Sequence, residues 1–218
     1  MLLKAVILGA GKGTRMLPLT KTKPKALLPS NKNSLLLNQI EFLRSYTNEI
    51  VVTVGYMKNE MLKALELYGI EDYIIGENLD NAFWINNYLF KNYNGPLIVI
   101  TCDNVLDINI NELVKEYYEN NEKSLLVGVK GSNKNADKVI ISKNNIKDIG
   151  KSLSSRFFLS GLQILNISEI QEAGEQFNNF NDVWNYLIGK ERLMLSQLTP
   201  KSWFAIDTPD ELANFYNL

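Results

Sequence analysis

Gly9, Gly11 and Gly13 alternate directly behind the apolar run Ala5-Val6-Ile7-Leu8, and Thr14, Arg15 and, ten residues later, Lys25 follow them. The carboxyl end of a first strand is where a parallel α/β sheet receives phosphate groups. Glycines there let backbone N–H groups approach the anion, and fixed cations such as Arg15 and Lys25 add charge. Two other phosphate loops are excluded. A dinucleotide fingerprint, G-x-G-x-x-G, needs glycine where Thr14 stands, and an acid near the end of the second strand, where the chain has Gly55 and Tyr56. A P-loop needs its lysine after the last glycine, but Lys12 precedes Gly13.

The sequence contains no histidine. That excludes a histidine general base, a Ser-His-Asp triad and a histidine-containing zinc site. Lys, Arg, Asp, Glu, hydroxyls and backbone remain, an inventory that suits phosphoryl-type transfer, which works by positioning and charge neutralisation. The 218 residues, 45% of them hydrophobic, suffice for one domain with a sizeable core. A net charge of -1 gives no reason to expect nucleic acid or a membrane surface as partner. No signal peptide is expected, and no apolar run approaches the ~20 residues that span a bilayer. The single cysteine, Cys102, rules out an intrachain disulfide and points to a reducing cytosol, hence a cytoplasmic protein. The sequence does not set the oligomeric state.

Hydrophobic periodicity predicts the elements that would position these residues. Strands are expected over Lys4 to Leu8, Glu49 to Val54, Asp72 to Ile75 and Leu97 to Thr101, with helices over Ser34 to Tyr46, Lys58 to Tyr68, Asn81 to Tyr93 and Asn109 to Tyr118. That alternation argues for right-handed crossovers and a parallel core. Asp103 falls just past the fourth of these strands, at its carboxyl end. The second half reads as short strands over Ser124 to Val129, Lys138 to Ser142, Asn145 to Ile149 and Phe157 to Leu165, with Asn144-Asn145 as a hairpin tip. Helices over Ser168 to Phe177 and Asp182 to Leu187 follow, then strands over Leu193 to Leu198 and Trp203 to Ile206. Thr208-Pro209-Asp210-Glu211 reads as a capped helix start. The expected fold is α/β: a Rossmann-like three-layer sandwich with a mostly parallel central sheet and a smaller β-rich part. Residues 1–218 would form a single domain, with the glycine-loop elements over about 1–120 and the β-rich part over about 121–218.

The run Gly9 to Lys25, G-x-G-T-R followed by a P-K lysine, resembles the opening of the nucleotidyltransferases that make NDP-sugars and CDP-alcohols. The resemblance implies Mg2+-dependent transfer of a nucleoside monophosphate from an NTP to a phosphorylated acceptor, with release of pyrophosphate. Leu8, Gly9, Ala10, Gly11, Gly13 and Thr14 would then cradle base and phosphates. Arg15 would bind the departing phosphates, and Lys25 the α-phosphate or the attacking phosphate. Gly55 and Tyr56 would stand beside the base, and Asp103 and Asp207 would hold the metal.

Later motifs resemble cytidylyltransferases more than sugar enzymes. Ile206-Asp207-Thr208-Pro209 replaces the W-x-D-x-G-T of sugar enzymes, with Ala205 where they carry aspartate. Gly150-Lys151 resembles enzymes acting on inositol phosphate and implies Lys151 as the ligand of the acceptor phosphate. Asn78 to Asn87, Leu159-Ser160-Gly161 and Phe180 to Trp184 resemble phosphocholine cytidylyltransferases, which implies Trp84, Gly161, Asp182 and Trp184 at the acceptor; a quaternary ammonium would suit aromatic faces and a carboxylate. Ala205 stands where those enzymes present Glu. The implied partners are an NTP, CTP by resemblance, and a phosphorylated small molecule. Two alternatives stay open: a sugar-1-phosphate nucleotidyltransferase using UTP, GTP or dTTP, and a non-catalytic nucleotide-binding regulatory protein.

Overall fold

The computed structural model describes residues 3–30, 33–131, 136–174 and 176–216. In chain order its elements are β1 (Lys4–Leu8), β2 (Pro29–Ser30), β3 (Asn33–Ser34), α1 (Leu35–Arg44), β4 (Glu49–Val54), α2 (Lys58–Leu67), β5 (Tyr73–Ile75), β6 (Pro96–Thr101), β7 (Asn104–Asp107), α3 (Ile110–Glu119), β8 (Ser124–Lys130), β9 (Lys138–Ser142), β10 (Asn145–Gly150), β11 (Phe157–Asn166), α4 (Ile167–Glu172), α5 (Phe180–Gly189), β12 (Leu193–Leu195), β13 (Ser202–Ala205) and α6 (Pro209–Tyr216). Contacts group them into two units.

One unit takes Leu2–Leu79, Ile100–Val105 and Phe204–Leu218. Its strands lie in the order β5-β4-β1, all parallel, with Val6 opposite Val51 and Thr53 opposite Ile74. Cys102 donates its N–H to the Leu8 carbonyl at 3.2 Å, which sets the end of β6 beside β1. Ala5, Val6, Ile7, Val51 and Val52 are buried, as strands covered on both faces require. Helix α1 starts at Ser34, whose hydroxyl accepts the Leu37 N–H at 3.1 Å, and buries Leu35, Leu36, Ile40 and Leu43 at helical spacing. Helix α6 starts at the expected capping box: Glu211 Oε2 accepts the Thr208 N–H at 2.9 Å, and Thr208 Oγ1 accepts the Glu211 N–H at 3.3 Å. Leu212 of that helix joins Met16, Leu28, Leu35 and Ile206 in one apolar cluster, so α6 is pinned beneath the glycine loop.

The other unit takes Asp80–Val99 and Leu106–Trp203. Here β11 pairs antiparallel with β8, β8 parallel with β12, and β12 and β9 both antiparallel with β10; β9 also meets β11, so these five strands close on themselves. The parallel Rossmann-like core and the β-rich later part agree with the reading of the sequence. No helix among the described residues is long and apolar enough to cross a membrane.

Three local expectations are corrected. Residues 81–93 form turns with one 3-10 turn at Tyr88–Phe90, not a helix. Asparagine side chains take the hydrogen bonds a helix would have used: Asn81 Oδ1 accepts the Phe180 N–H at 2.9 Å, and Asn87 Oδ1 the Leu89 N–H at 3.1 Å. The β9–β10 tip is Lys143-Asn144, both at positive φ, one residue earlier than expected. Helix α4 stops at Glu172, short of Phe177, with Gly174 at φ 67 just beyond it.

Candidate active site

The loop after β1 is held by its own backbone. Gly9 donates its N–H to Thr53 Oγ1 at 3.1 Å, Ala10 accepts the Tyr56 N–H at 3.1 Å, and the Tyr56 hydroxyl reaches the Thr20 carbonyl at 2.9 Å. Gly55 belongs to the same contact: a Cβ there would lie 2.6 Å from the Ala10 carbonyl oxygen. Gly13 sits at φ 59, and a Cβ on it would lie 2.7 Å from Cβ of Lys25. Gly11 faces open space. It lines a cleft of about 410 Å³ with Ala10, Lys12, Gly55, Tyr56 and Asn78. The glycines therefore divide their tasks. Gly13 and Gly55 permit close packing within the protein, and Gly11 lies where a side chain would meet nothing. Thr14 and Arg15, in the short turn Thr14–Met16, are exposed.

Four charged groups converge beside this loop. Lys25, 8% exposed, donates from Nζ to Asp103 Oδ2 at 2.6 Å and to Asp207 Oδ1 at 2.8 Å. Arg15 Nη2 reaches the same Asp207 oxygen at 2.9 Å. Burial works against the Lys25 ammonium, but the facing carboxylates of Asp103 and Asp207 outweigh it and raise its pKa above the usual lysine value. Asp103 mirrors this: burial favours its neutral form, and the Lys25 ammonium outweighs burial and holds its pKa below the usual carboxylate value. Burial and the charge of Asp103 push the adjacent Cys102 thiol up to about 12, so the only cysteine is a neutral core thiol, not a nucleophile.

Supporting residues outside the expected set fix this geometry. Asn104 Nδ2 donates to Asp103 Oδ1 at 3.0 Å and to Thr101 Oγ1 at 2.7 Å, and its carbonyl accepts from the buried Gln39 amide at 2.9 Å. Glu211 accepts the Asp207 N–H at 2.7 Å, and Ile206 donates its N–H to the Asp103 carbonyl at 2.9 Å. Gln39 has a sequence signal, a polar residue on the buried stripe of α1; the rest depends on contacts between distant segments.

The residues expected at the acceptor divide. Lys151 and Trp184 line one cleft of about 420 Å³ with Asp137, Gly150, Asn181 and Asn185. Trp184 stacks on Phe180 with centroids 5.8 Å apart and donates its indole N–H to Gln163 at 3.0 Å. Gly161, at φ 83, falls where the β11–β8 register shifts. Asp182 lies in the first turn of α5, its Oδ2 taking a 2.8 Å hydrogen bond from Asn179 Nδ2. Trp84 is corrected to a core residue: it is 1% exposed, edge-packed on Phe90 and Phe180, and its N–H is held by the Asn81 carbonyl at 2.9 Å.

Comparison with known proteins shows the family and the fold. Residues 4–138 match the family model described as nucleotidyl transferase. Over 108 residues, 41% of this chain and 47% of the relative, the sequence is 39% identical to a choline-phosphate cytidylyltransferase of Streptococcus pneumoniae. Over 199 residues, 82% of this chain and 55% of the relative, it is 24% identical to a mannose-1-phosphate guanyltransferase of Aspergillus oryzae. The chain thus spans about half the length of these curated relatives. The solved structure of the CTP:phosphocholine cytidylyltransferase from Streptococcus pneumoniae aligns with a TM-score of 0.76 and 26% identity, covering 100% of this chain and 99% of that one.

Proposed function

The chain belongs to the nucleotidyl transferase family, and on that premise we propose that it transfers CMP from CTP to a phosphorylated small acceptor, an alcohol or a sugar, with release of pyrophosphate and with Mg2+ as cofactor. The observation that carries this reading is the convergence of Lys25, Arg15, Asp103 and Asp207 beside an open glycine loop. An ionised oxygen of the acceptor phosphate attacks the α-phosphorus of CTP. The bond from that phosphorus to the bridging oxygen breaks, and pyrophosphate leaves with the electron pair. No proton has to be removed, in keeping with a chain that has no histidine. Lys25 and Arg15 meet the charge that builds on the α-phosphate and the leaving group, and the backbone around Gly11 receives the phosphates.

The donor set fits a magnesium ion. Asp103 and Asp207 already hold one cation, the Lys25 ammonium, between them. Among the described residues no three carboxylate, thiol or imidazole groups cluster. A metal there would be held by Asp103 and Asp207 and would leave room for substrate phosphate oxygens, which suits magnesium. When bound, it would neutralise and orient those oxygens.

The cleft with Lys151 and Trp184 is the proposed acceptor site. Lys151→Met is expected to raise KM for the acceptor about tenfold, the loss of one charge-assisted contact, and to leave KM for CTP unchanged in steady-state assays. An unchanged acceptor KM removes Lys151 from the site.

Pyrophosphate release, with each NTP and dTTP crossed against phosphorylated alcohols and sugar 1-phosphates, tests the whole reading. Turnover with CTP and a phosphorylated alcohol supports it. The likeness to the guanyltransferase along 82% of the chain favours a second reading, a sugar-1-phosphate nucleotidyltransferase using UTP, GTP or dTTP. Turnover confined to such a pair replaces the first reading with the second. Silence throughout, with nucleotide still bound, leaves a non-catalytic binder.

A further inference from the structure

We infer that Glu77 reads the nucleobase: its carboxylate accepts a hydrogen bond from an exocyclic amino group and so sets cytosine above uracil. The inference rests on the reading above, in which a nucleotide lies with its phosphates at the glycine loop, and adds the residue that selects the base.

The cleft beside Gly11 runs across three strand ends. In the order β5-β4-β1, Ala10, Gly11 and Lys12 follow β1, Gly55 and Tyr56 follow β4, and Glu77 and Asn78 follow β5. Two strand spacings, about 10 Å, separate the outer two. Among the described residues that line the cleft, the charged ones stand at those opposite ends, Lys12 at β1 and Glu77 at β5. A nucleotide whose phosphates meet the glycine loop and Lys12 directs its base away from them, past Gly55 and toward Glu77. The backbone there is fixed. Gly76 donates its N–H to the Val54 carbonyl at 2.8 Å, and a Cβ on Gly55 would lie 3.0 Å from the Gly76 carbonyl oxygen. Asn78, at φ 59, then turns the chain and leaves Glu77 at the rim.

Cytosine and uracil have the same size. Cytosine carries an amino donor where uracil carries a carbonyl acceptor, so a reader of that edge must accept and be unable to donate. Asn78 can do either. The Tyr56 hydroxyl is turned to the Thr20 carbonyl at 2.9 Å, and Thr20 is itself bonded to Gly13. Glu77 is the one carboxylate among the described residues that line the cleft. Lys58 Nζ holds its Oε1 at 3.1 Å, and Oε2 has no hydrogen bond among the described residues. Lys58 thus positions the carboxylate and leaves one oxygen for the base. Uracil would set its carbonyl oxygen against that oxygen, a repulsive contact in which neither gains a partner. Its own donor, the ring N–H, lies between two carbonyl oxygens that also repel a carboxylate.

The test needs no turnover. Isothermal calorimetry gives the affinity for CTP and for UTP, each with Mg2+ and without acceptor. The wild type is expected to bind CTP about tenfold more tightly than UTP, the worth of one charge-assisted contact to a base edge. Glu77→Gln, whose amide donates as well as accepts, is expected to bring the two affinities together. Glu77→Ala should weaken CTP and leave UTP no weaker. Lys58→Met frees the carboxylate to move and should narrow the ratio by a smaller factor than either. The Glu77 and Lys58 side chains are 50% and 43% exposed, so all three variants should unfold at the wild-type urea midpoint. A CTP-to-UTP ratio that keeps its wild-type value in Glu77→Gln and Glu77→Ala overturns the inference and leaves the CTP reading standing. UTP bound as tightly as CTP by the wild type, or neither bound at all, overturns both.

Discussion

Lys25→Met is expected to lower pyrophosphate release about 10³-fold and to destabilise the protein by about 3 kcal/mol at neutral pH. The first figure is that of a preorganised donor withdrawn from developing phosphate charge. The second arises because the substitution leaves Asp103 and Asp207 facing each other with one cation lost, and breaking a buried ion pair from one side costs more than the pair contributes. Asp103→Asn should match the loss of activity with a much smaller loss of stability, since Asp207 still answers the ammonium at 2.8 Å. Stability is read by urea unfolding and activity by pyrophosphate release. The sharp comparison is the double variant. Lys25→Met with Asp103→Asn removes one charge of each sign, so it should be more stable than Lys25→Met alone, a non-additivity that distant, independent sites do not show. Additive losses would mean that the 2.6 Å contact between Lys25 and Asp103 contributes little and that Lys25 acts by packing alone.

Gly13→Ala should be the most damaging single-methyl change in the loop, and Gly11→Ala one of the mildest for folding. At Gly13 the added carbon meets two obstacles at once. The backbone is at φ 59, which costs a side-chain residue about 1–2 kcal/mol, and the new atom would lie 2.7 Å from Cβ of Lys25 and 3.1 Å from Cγ2 of Thr20. Lys25 Cβ is fixed to its backbone, so relief comes from moving the loop and with it the ammonium. The expected result is about 2–4 kcal/mol less stability and activity as low as that of Lys25→Met. At Gly11 an added carbon has nothing within 4 Å. That variant should unfold at the wild-type urea midpoint, while KM for CTP rises several-fold because the methyl enters the cleft. Equal urea midpoints for Gly13→Ala and wild type would show that the loop yields freely and that its tight approach to Lys25 is not a constraint.

Much of this site is legible in the amino-acid sequence. The glycine loop and the aspartate past β6 sit at strand ends that hydrophobic runs announce, and the lysine after proline is found by its motif. Resemblance points to Asp207, and the capping signal of Thr208 to Glu211 beside it is reproduced at the start of α6. Contact between remote segments is not legible. Nothing local in the sequence says that Lys25 lies against two carboxylates, that Gln39 supports Asn104, or that Gly13 packs against Lys25. The stretch from Asn81 to Tyr93 departs from expectation for a related reason. Its apolar residues recur at helical spacing, but asparagine side chains capture backbone N–H groups, one of them 99 positions away at Phe180. Trp84 is placed at the acceptor by resemblance; in the structure the stretch around it is turns and not a helix, and its indole is buried in the core.

The separations within the charged cluster bear on when the protein becomes able to react. Asp103 stands 78 positions after Lys25, and Asp207 stands 182 after it. Local elements such as α1 and α2 can form early on a growing chain, but contacts of such span come late, because a long loop must close before they return anything. While the polypeptide is still being made, its first strands and glycine loop can emerge from the ribosome and collapse, yet the two cations lack their second carboxylate until position 207 is out. A chain that reaches only Lys25 and Asp103 therefore holds an incomplete cluster, and the chemistry proposed for it waits on Asp207.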